Sequence, residues 1–141
     1  MSEVRFFLAH AKSDEGERLI ALISAAHMAI SRVANGKPYT LTTGRDFFEQ
    51  HFKRLGSWAA WATEVATGFE YLTRRPHFDA ILVPAGRVGA GTAAIVEKAL
   101  AISKPVYAYQ GEKSARVVGV SCESKKDWQT GYKLTVDRDL R

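Results

Sequence analysis

Short apolar runs alternate along this chain with longer stretches in which apolar residues recur every three or four positions. Residues 4–10 ("VRFFLAH") form an apolar run bounded by polar residues, the pattern of a central parallel strand covered on both faces. In the stretch that follows, Leu19, Ile23, Ala26, Ile30 and Val33 share one helical face. Asp14, with Glu17 three residues on, predicts an N-cap and its reciprocal partner, and Asn35-Gly36 predicts the stop. Residues 39–43 read as a second strand. Residues 45–55 read as a helix ended by Gly56, and Ser57 as the N-cap of another. On that helix Trp58, Trp61, Val65, Phe69 and Leu72 form one apolar face, read as core or as an aromatic platform for a base. Pro76 ends it. Residues 78–83 then read as a strand, 92–102 as a helix, and 106–109 and 115–121 as strands. A polar loop over 122–131 leads to an alternating edge strand over 132–136, and residues 136–141 are expected to fray.

Strands alternating with helices predict an α/β fold over residues 1–141. The expectation is a single-domain Rossmann-like (flavodoxin-like) sheet of about five mainly parallel strands with helices on both faces. Right-handed crossovers place the loops after the strands along one edge, where open sheets of this kind bind ligands. Three segments should converge there: "AHAKSD", "TTGRD" and "PAGRVGAGT".

Composition narrows the class. The chain is 46% hydrophobic and 25% charged, as in ordinary globular proteins. It has no apolar run near the roughly 20 residues of a membrane helix. Its first residues lack the order of a signal peptide, so a cytoplasmic chain without membrane association is expected. Cys122 is the single cysteine, read as a buried inert thiol with a catalytic thiol as the sharper alternative. The net charge of +5 is spread over small clusters. It suits anionic ligands, but no aromatic-interleaved basic motif supports nucleic-acid binding.

The candidate chemistry centres on the third loop. Gly86, Gly89 and Gly91 allow positive φ and close approach of a ligand to the backbone. Thr92 is placed to cap the following helix, whose N–H groups favour an anion, and Arg87 adds a full charge. Ala9, Ala85 and Gly86 follow their strands into the same crevice. The spacing GxxGxG matches neither the dinucleotide fingerprint nor a P-loop, so a tight corner without a ligand stays open. His10 ends the first strand and suits a ribose or phosphate contact or proton transfer, against a structural role. Lys12 extends that loop. Arg45 and Asp46 occupy the second, Arg45 as a phosphate partner or a surface residue. No His/Cys/Asp/Glu cluster has metal-ligand spacing, and neither a metal nor another cofactor is expected.

These residues carry a resemblance. "FFLAHAKSDEG" resembles the first strand and loop of TIR domains. "FDAILVPAGRVGAGTAAIVEKALAISKPVYAY" is similar to the matching segment of nucleoside 2-deoxyribosyltransferases and of cytokinin-activating phosphoribohydrolase-type (SLOG) domains. The likeness covers residues 4–110 in outline and 78–109 in motif detail. It implies a nucleotide- or nucleoside-binding domain, cleavage of an N-glycosidic bond in many members, and a homo-oligomer with sites shared between subunits. Residues 57–72 would then pack on a partner or on their own sheet. The family's catalytic glutamate falls at Ile95 in this chain. Glu97 lies two residues on, rotated about 200° around the helix, and is expected to project to solvent or to the flank.

Cleavage of an N-glycosidic bond needs a carboxylate at the sugar and an acid for the leaving base. Glu97, Glu64, His10 and Asp46 are the candidates. Two classes of function therefore stand: a non-catalytic domain that senses or sequesters a nucleoside- or nucleotide-derived molecule, favoured by Ile95, and an N-glycosidase or deoxyribosyltransferase. A structural or interaction protein without a ligand is the weaker third.

Overall fold

The computed structural model describes residues 3–10, 14, 16–47, 49, 78–127 and 130–141. Along them run β1 (Val4–Leu8), α1 (Gly16–Ala34), β2 (Tyr39–Thr43), β3 (Ala80–Pro84), β4 (Arg87–Val88), α2 (Ala90–Ala101), β5 (Val106–Gln110), β6 (Lys113–Cys122) and β7 (Tyr132–Val136). Residues 44–47 and 49 are also helical. The Trp-bearing stretch 57–72, Glu64 and Lys12 lie outside the described residues.

The strands form one mixed sheet in the order β2-β1-β3-β5-β6-β7-β4. Its centre is parallel: Phe6 of β1 stands opposite Leu41 of β2 on one side and Ala80 of β3 on the other, and β5 continues beyond β3. β1 feeds α1 and β2 towards one edge, while β3 feeds α2 and β5 towards the other. The order of strands therefore reverses between β1 and β3, which opens a crevice at their carboxyl ends.

Period-two alternation builds both faces of this sheet. Phe7, Ile81, Val83, Val106 and Ala108 pack with Ala93, Ile95, Val96 and Ala99 of α2. Phe6, Leu8, Ala80, Leu82 and Tyr109 pack with Ala26, Ala29, Ile30 and Ala34 of α1. The expected stripe of α1 is the one used, since Leu19, Ala26 and Ile30 are buried and Ile23 and Val33 pack beside them. The helix stops at Ala34 because Asn35 turns left-handed, with φ of 50°, as its Asn-Gly pair predicts. At the amino edge, Asp79 accepts hydrogen bonds from the Arg5 backbone N–H at 2.8 Å and from its guanidinium at 3.3 Å. Those bonds hold the Asp79 carboxyl below its ordinary range. Beside it Lys104 donates to the Phe78 carbonyl, and burial lowers the affinity of its amine for the proton.

Beyond β5 the sheet departs from expectation. About five strands follow from the pattern, whereas the described residues form seven. β6 turns back antiparallel on β5, β7 on β6, and β4 on β7. The additional strand is Arg87–Val88, inside the glycine-rich loop, and two residues carry no periodicity to read. Its pairing places β7 between β6 and β4, so β7 is not the edge strand its alternation suggests. A bulge at Val118 interrupts the pairing of β6, because Val117 stands opposite Val136 and Gly119 opposite Thr135. The expected frayed tail is also tied down. Arg141 and Ser114 exchange backbone hydrogen bonds of 3.0 and 3.1 Å, and Asp137 donates to the Arg116 carbonyl.

Candidate ligand-binding site

The carboxyl edge of the parallel strands holds a cavity of about 380 Å³ on the α1 side of the sheet. Leu22 and Ala25 form its wall on α1, Pro84, Ala85 and Gly86 its floor at the end of β3, and Tyr109, Gln110 and Gly111 its far side. Ala85 is held in place by its N–H, which donates to the Tyr109 carbonyl at 2.8 Å. Gly86 turns at φ of 107° with nothing within 4 Å of a would-be Cβ. Backbone conformation, and not crowding, is what calls for glycine there.

Tyr109 joins the two walls. Its ring is 2% exposed, and its hydroxyl donates to the Leu22 carbonyl of α1 at 3.0 Å. Burial first, and the charge of Asp14 second, push its ionisation well above the ordinary tyrosine value. Asp14, read from the sequence as a helix cap and as the end of the first-strand loop, is 6% exposed. One of its oxygens pairs with Arg18 Nε at 3.0 Å. A buried carboxylate thus stands close enough to the cavity wall to act on it electrostatically.

The third loop contributes its first half. After Pro84-Ala85-Gly86 the chain leaves the cavity for β4, where Arg87 is ion-paired with Glu123, so its guanidinium is engaged away from the cavity. Of the three glycines only Gly86 has a positive φ. Gly89 is the N-cap of α2 at φ of −83° and Gly91 lies within the first turn. Thr92 does not cap the helix: α2 starts two residues earlier at Ala90, no side chain caps it, and Thr92 is buried inside the first turn. The helix begins early because β4 delivers the chain to Gly89 already extended.

His10 also has a different employment. The Arg45 backbone N–H donates to its Nε2 at 3.0 Å, so that nitrogen is an acceptor and the neutral ring carries its proton on Nδ1. It closes the start of the helical segment at residue 44, where Thr43 Oγ1 accepts from the Asp46 N–H at 3.1 Å. The Arg45 side chain bonds Glu49 one turn on, at 3.2 Å. Asp46 is exposed. Ala9 continues the ladder by donating to the Leu82 carbonyl, and is buried in the core that packs α2. Glu97 is exposed on α2. Its charge is felt at Tyr132 of β7, after the larger effects of the Cys122 thiol and of burial. α2 and the cavity lie on opposite faces of the sheet, so Glu97 and the cavity do not converge. Ile95 is 3% exposed in the core. Cys122, read as buried, is exposed at the end of β6 beside Tyr132.

Leu22, Ala25, Tyr109, Gln110 and Gly111 were not among the candidates. The rule that selected the loops after the first three strands also selects the end of "VYAYQG", had it been carried to β5. Among the described residues no group of three or more His, Cys, Asp or Glu is placed to hold a metal, and no helix is long and apolar enough to cross a membrane. Comparison with protein families, curated proteins and solved structures returned no match.

Proposed function

We propose that this chain binds a nucleoside- or nucleotide-derived small molecule at the carboxyl edge of its sheet, as a sensor or sequestering domain. The observation that carries the reading is the cavity between α1, Gly86 and Tyr109, beside the crevice where the strand order reverses. Its volume falls in the lower part of the range of small-molecule pockets, about 300–1,000 Å³. The likeness of residues 78–109 to nucleoside 2-deoxyribosyltransferases and phosphoribohydrolase-type domains supplies the ligand class, and with it a homo-oligomeric, cytoplasmic setting. A non-catalytic role is favoured because Ile95, at the position of the family's glutamate, is part of the core.

N-glycosidic cleavage is the second reading, and one observation favours it. Asp14 is a buried carboxylate that acts on Tyr109 at the cavity wall. Thermal denaturation against a panel of nucleosides, nucleotides, cyclic nucleotides and NAD tests the binding. A ligand at 100 times its dissociation constant adds about 2.7 kcal/mol, and a flat response across the panel overturns the proposal. Chromatography of the incubated ligand then separates the readings: released base that disappears in Asp14→Asn identifies an enzyme, and intact ligand a binding domain.

A further inference from the structure

Independently of the ligand and of the likeness, we infer that the α1-side face of β6 and β7 docks a second copy of this chain, with the two β7 strands crossing antiparallel. α1 packs over Phe6, Leu8, Ala80, Leu82 and Tyr109. Among the described residues, the helix on that side therefore covers the parallel strands and not β7. The opposite side of β7 is filled, because Tyr132, Leu134 and Val136 pack with the core beneath α2. Alternation sends Lys133 and Thr135 to the α1 side. Asp137 follows them, since its N–H continues the ladder by donating to the Arg116 carbonyl. All three residues are exposed. Gly119 of β6 stands opposite Thr135, and a Cβ placed on it would lie 3.8 Å from that of Thr135. Val118, the extra residue of the bulge beside Gly119, is 56% exposed. It is a large apolar side chain at the middle of a face whose other central residues are small.

Charge selects both the occupant and its orientation. Along β7 the face reads Lys133, Thr135, Asp137, a cation and an anion each about 7 Å from the central threonine. Neither has an ion-pair partner among the described residues. A two-fold axis lying in the interface and crossing β7 at Thr135 sets Asp137 of the second copy over Lys133, and its Lys133 over Asp137. The contact is self-complementary and closed. The two Val118 side chains then meet near the axis. Arg116, which rests over the Tyr107 ring, comes over the uncharged Ser121. Arg87, opposite Lys133 on β4, is already neutralised by Glu123. Parallel β7 strands would instead stack Lys133 on Lys133, Asp137 on Asp137 and Arg116 on Arg116, which like-charge repulsion opposes. Facing sheets pack about 10 Å apart, a gap that a lysine and an aspartate span together. The face is small, so the contact is weak and concentration-dependent, unlike that of an obligate dimer.

Sedimentation equilibrium of the full chain, from micromolar to millimolar concentration, tests this. A monomer–dimer equilibrium is expected. Lys133→Glu sets like charges over each other at both ends of the contact and should weaken association at least about tenfold. Asp137→Lys should do the same. The double exchange Lys133→Glu with Asp137→Lys restores opposite charges and should recover the association of the wild type, which a merely structural role for either residue does not predict. All three variants should keep the far-ultraviolet spectrum, because both positions are exposed. A monomer at every concentration overturns this inference together with the homo-oligomeric setting. A dimer indifferent to both single exchanges overturns the placement on this face and leaves that setting standing. A loss that the double exchange does not recover overturns the antiparallel orientation. If Lys133→Glu does not fold, the wild-type equilibrium and Asp137→Lys decide.

Discussion

Replacing Tyr109 with Phe removes a single oxygen from the join between α1 and β5. The ring is 2% exposed, so packing is preserved, and what is lost is the bond from the hydroxyl to the Leu22 carbonyl at 3.0 Å. A neutral hydrogen bond of this kind contributes about 1 kcal/mol net. The Leu22 carbonyl lies within α1, where it also accepts the helical bond, so no bare acceptor raises that cost. At neutral pH Tyr109→Phe should therefore lose about 1 kcal/mol with an unchanged denaturant slope. The pH dependence supplies the sharper test. Burial and then Asp14 raise the ionisation of Tyr109 above its ordinary value of about 10. Above that pH the unfolded tyrosine has given up its proton and the folded one keeps it. The stability this residue contributes is complete below about pH 10 and falls by about 1.4 kcal/mol for each further unit, until the folded tyrosine also titrates. Phenylalanine has no such dependence. The deficit of Tyr109→Phe should close near about pH 11 and then reverse. Guanidinium unfolding of both proteins, followed by circular dichroism from neutral pH upwards, measures the difference, in which every other titrating group cancels. A deficit constant over that range would refute the reasoning. So would a neutral-pH loss above about 3 kcal/mol, the scale of lost packing and not of one hydrogen bond.

Gly131→Ala should destabilise by more than about 2 kcal/mol, visible as a lowered thermal midpoint, because its Cβ would collide with the backbone carbonyl oxygens of Ser124 and Asp127. Ile95→Glu should fail to produce base release and should unfold the domain. Burying an unpaired carboxylate at a position 3% exposed costs more than about 3 kcal/mol, and a folded variant that releases base would contradict this placement. Asp79 is held low chiefly by its hydrogen bond with Arg5. Its contribution is therefore present above the unfolded aspartate value of about 3.9 and lost as pH falls through the folded one. Acid titration of Asp79→Asn should show a shallower acid limb, by a small amount because the pair is nearly half exposed, 43% and 45%.

Among the described residues, the elements other than β4 were legible because each is written locally. The apolar stripe of α1, its Asn35-Gly36 stop, and the bounds of β2 and β7 all coincide with what periodicity and turn chemistry predict. The alternation that sends Phe7 to one face of the sheet and Phe6 to the other follows from geometry alone. Of the loops chosen for the candidate site, the described residues His10, 44–46 and 85–86 follow the carboxyl ends of the parallel strands β1, β2 and β3.

What each side chain does there was decided by the tertiary structure. Arg87 looks free in sequence, yet β4 pairs with β7 and brings Glu123 to it. His10 looks like a reactive group, yet the Arg45 N–H arrives at its Nε2 from 35 residues away. The "GAGT" turn looks like the cradle, yet the cavity closes over "PAG" with Leu22 and Tyr109, which lie 87 residues apart. The physical reason is common to all three. Periodicity records which face of an element is apolar, whereas the partner of a polar group depends on which distant segment the sheet order brings beside it.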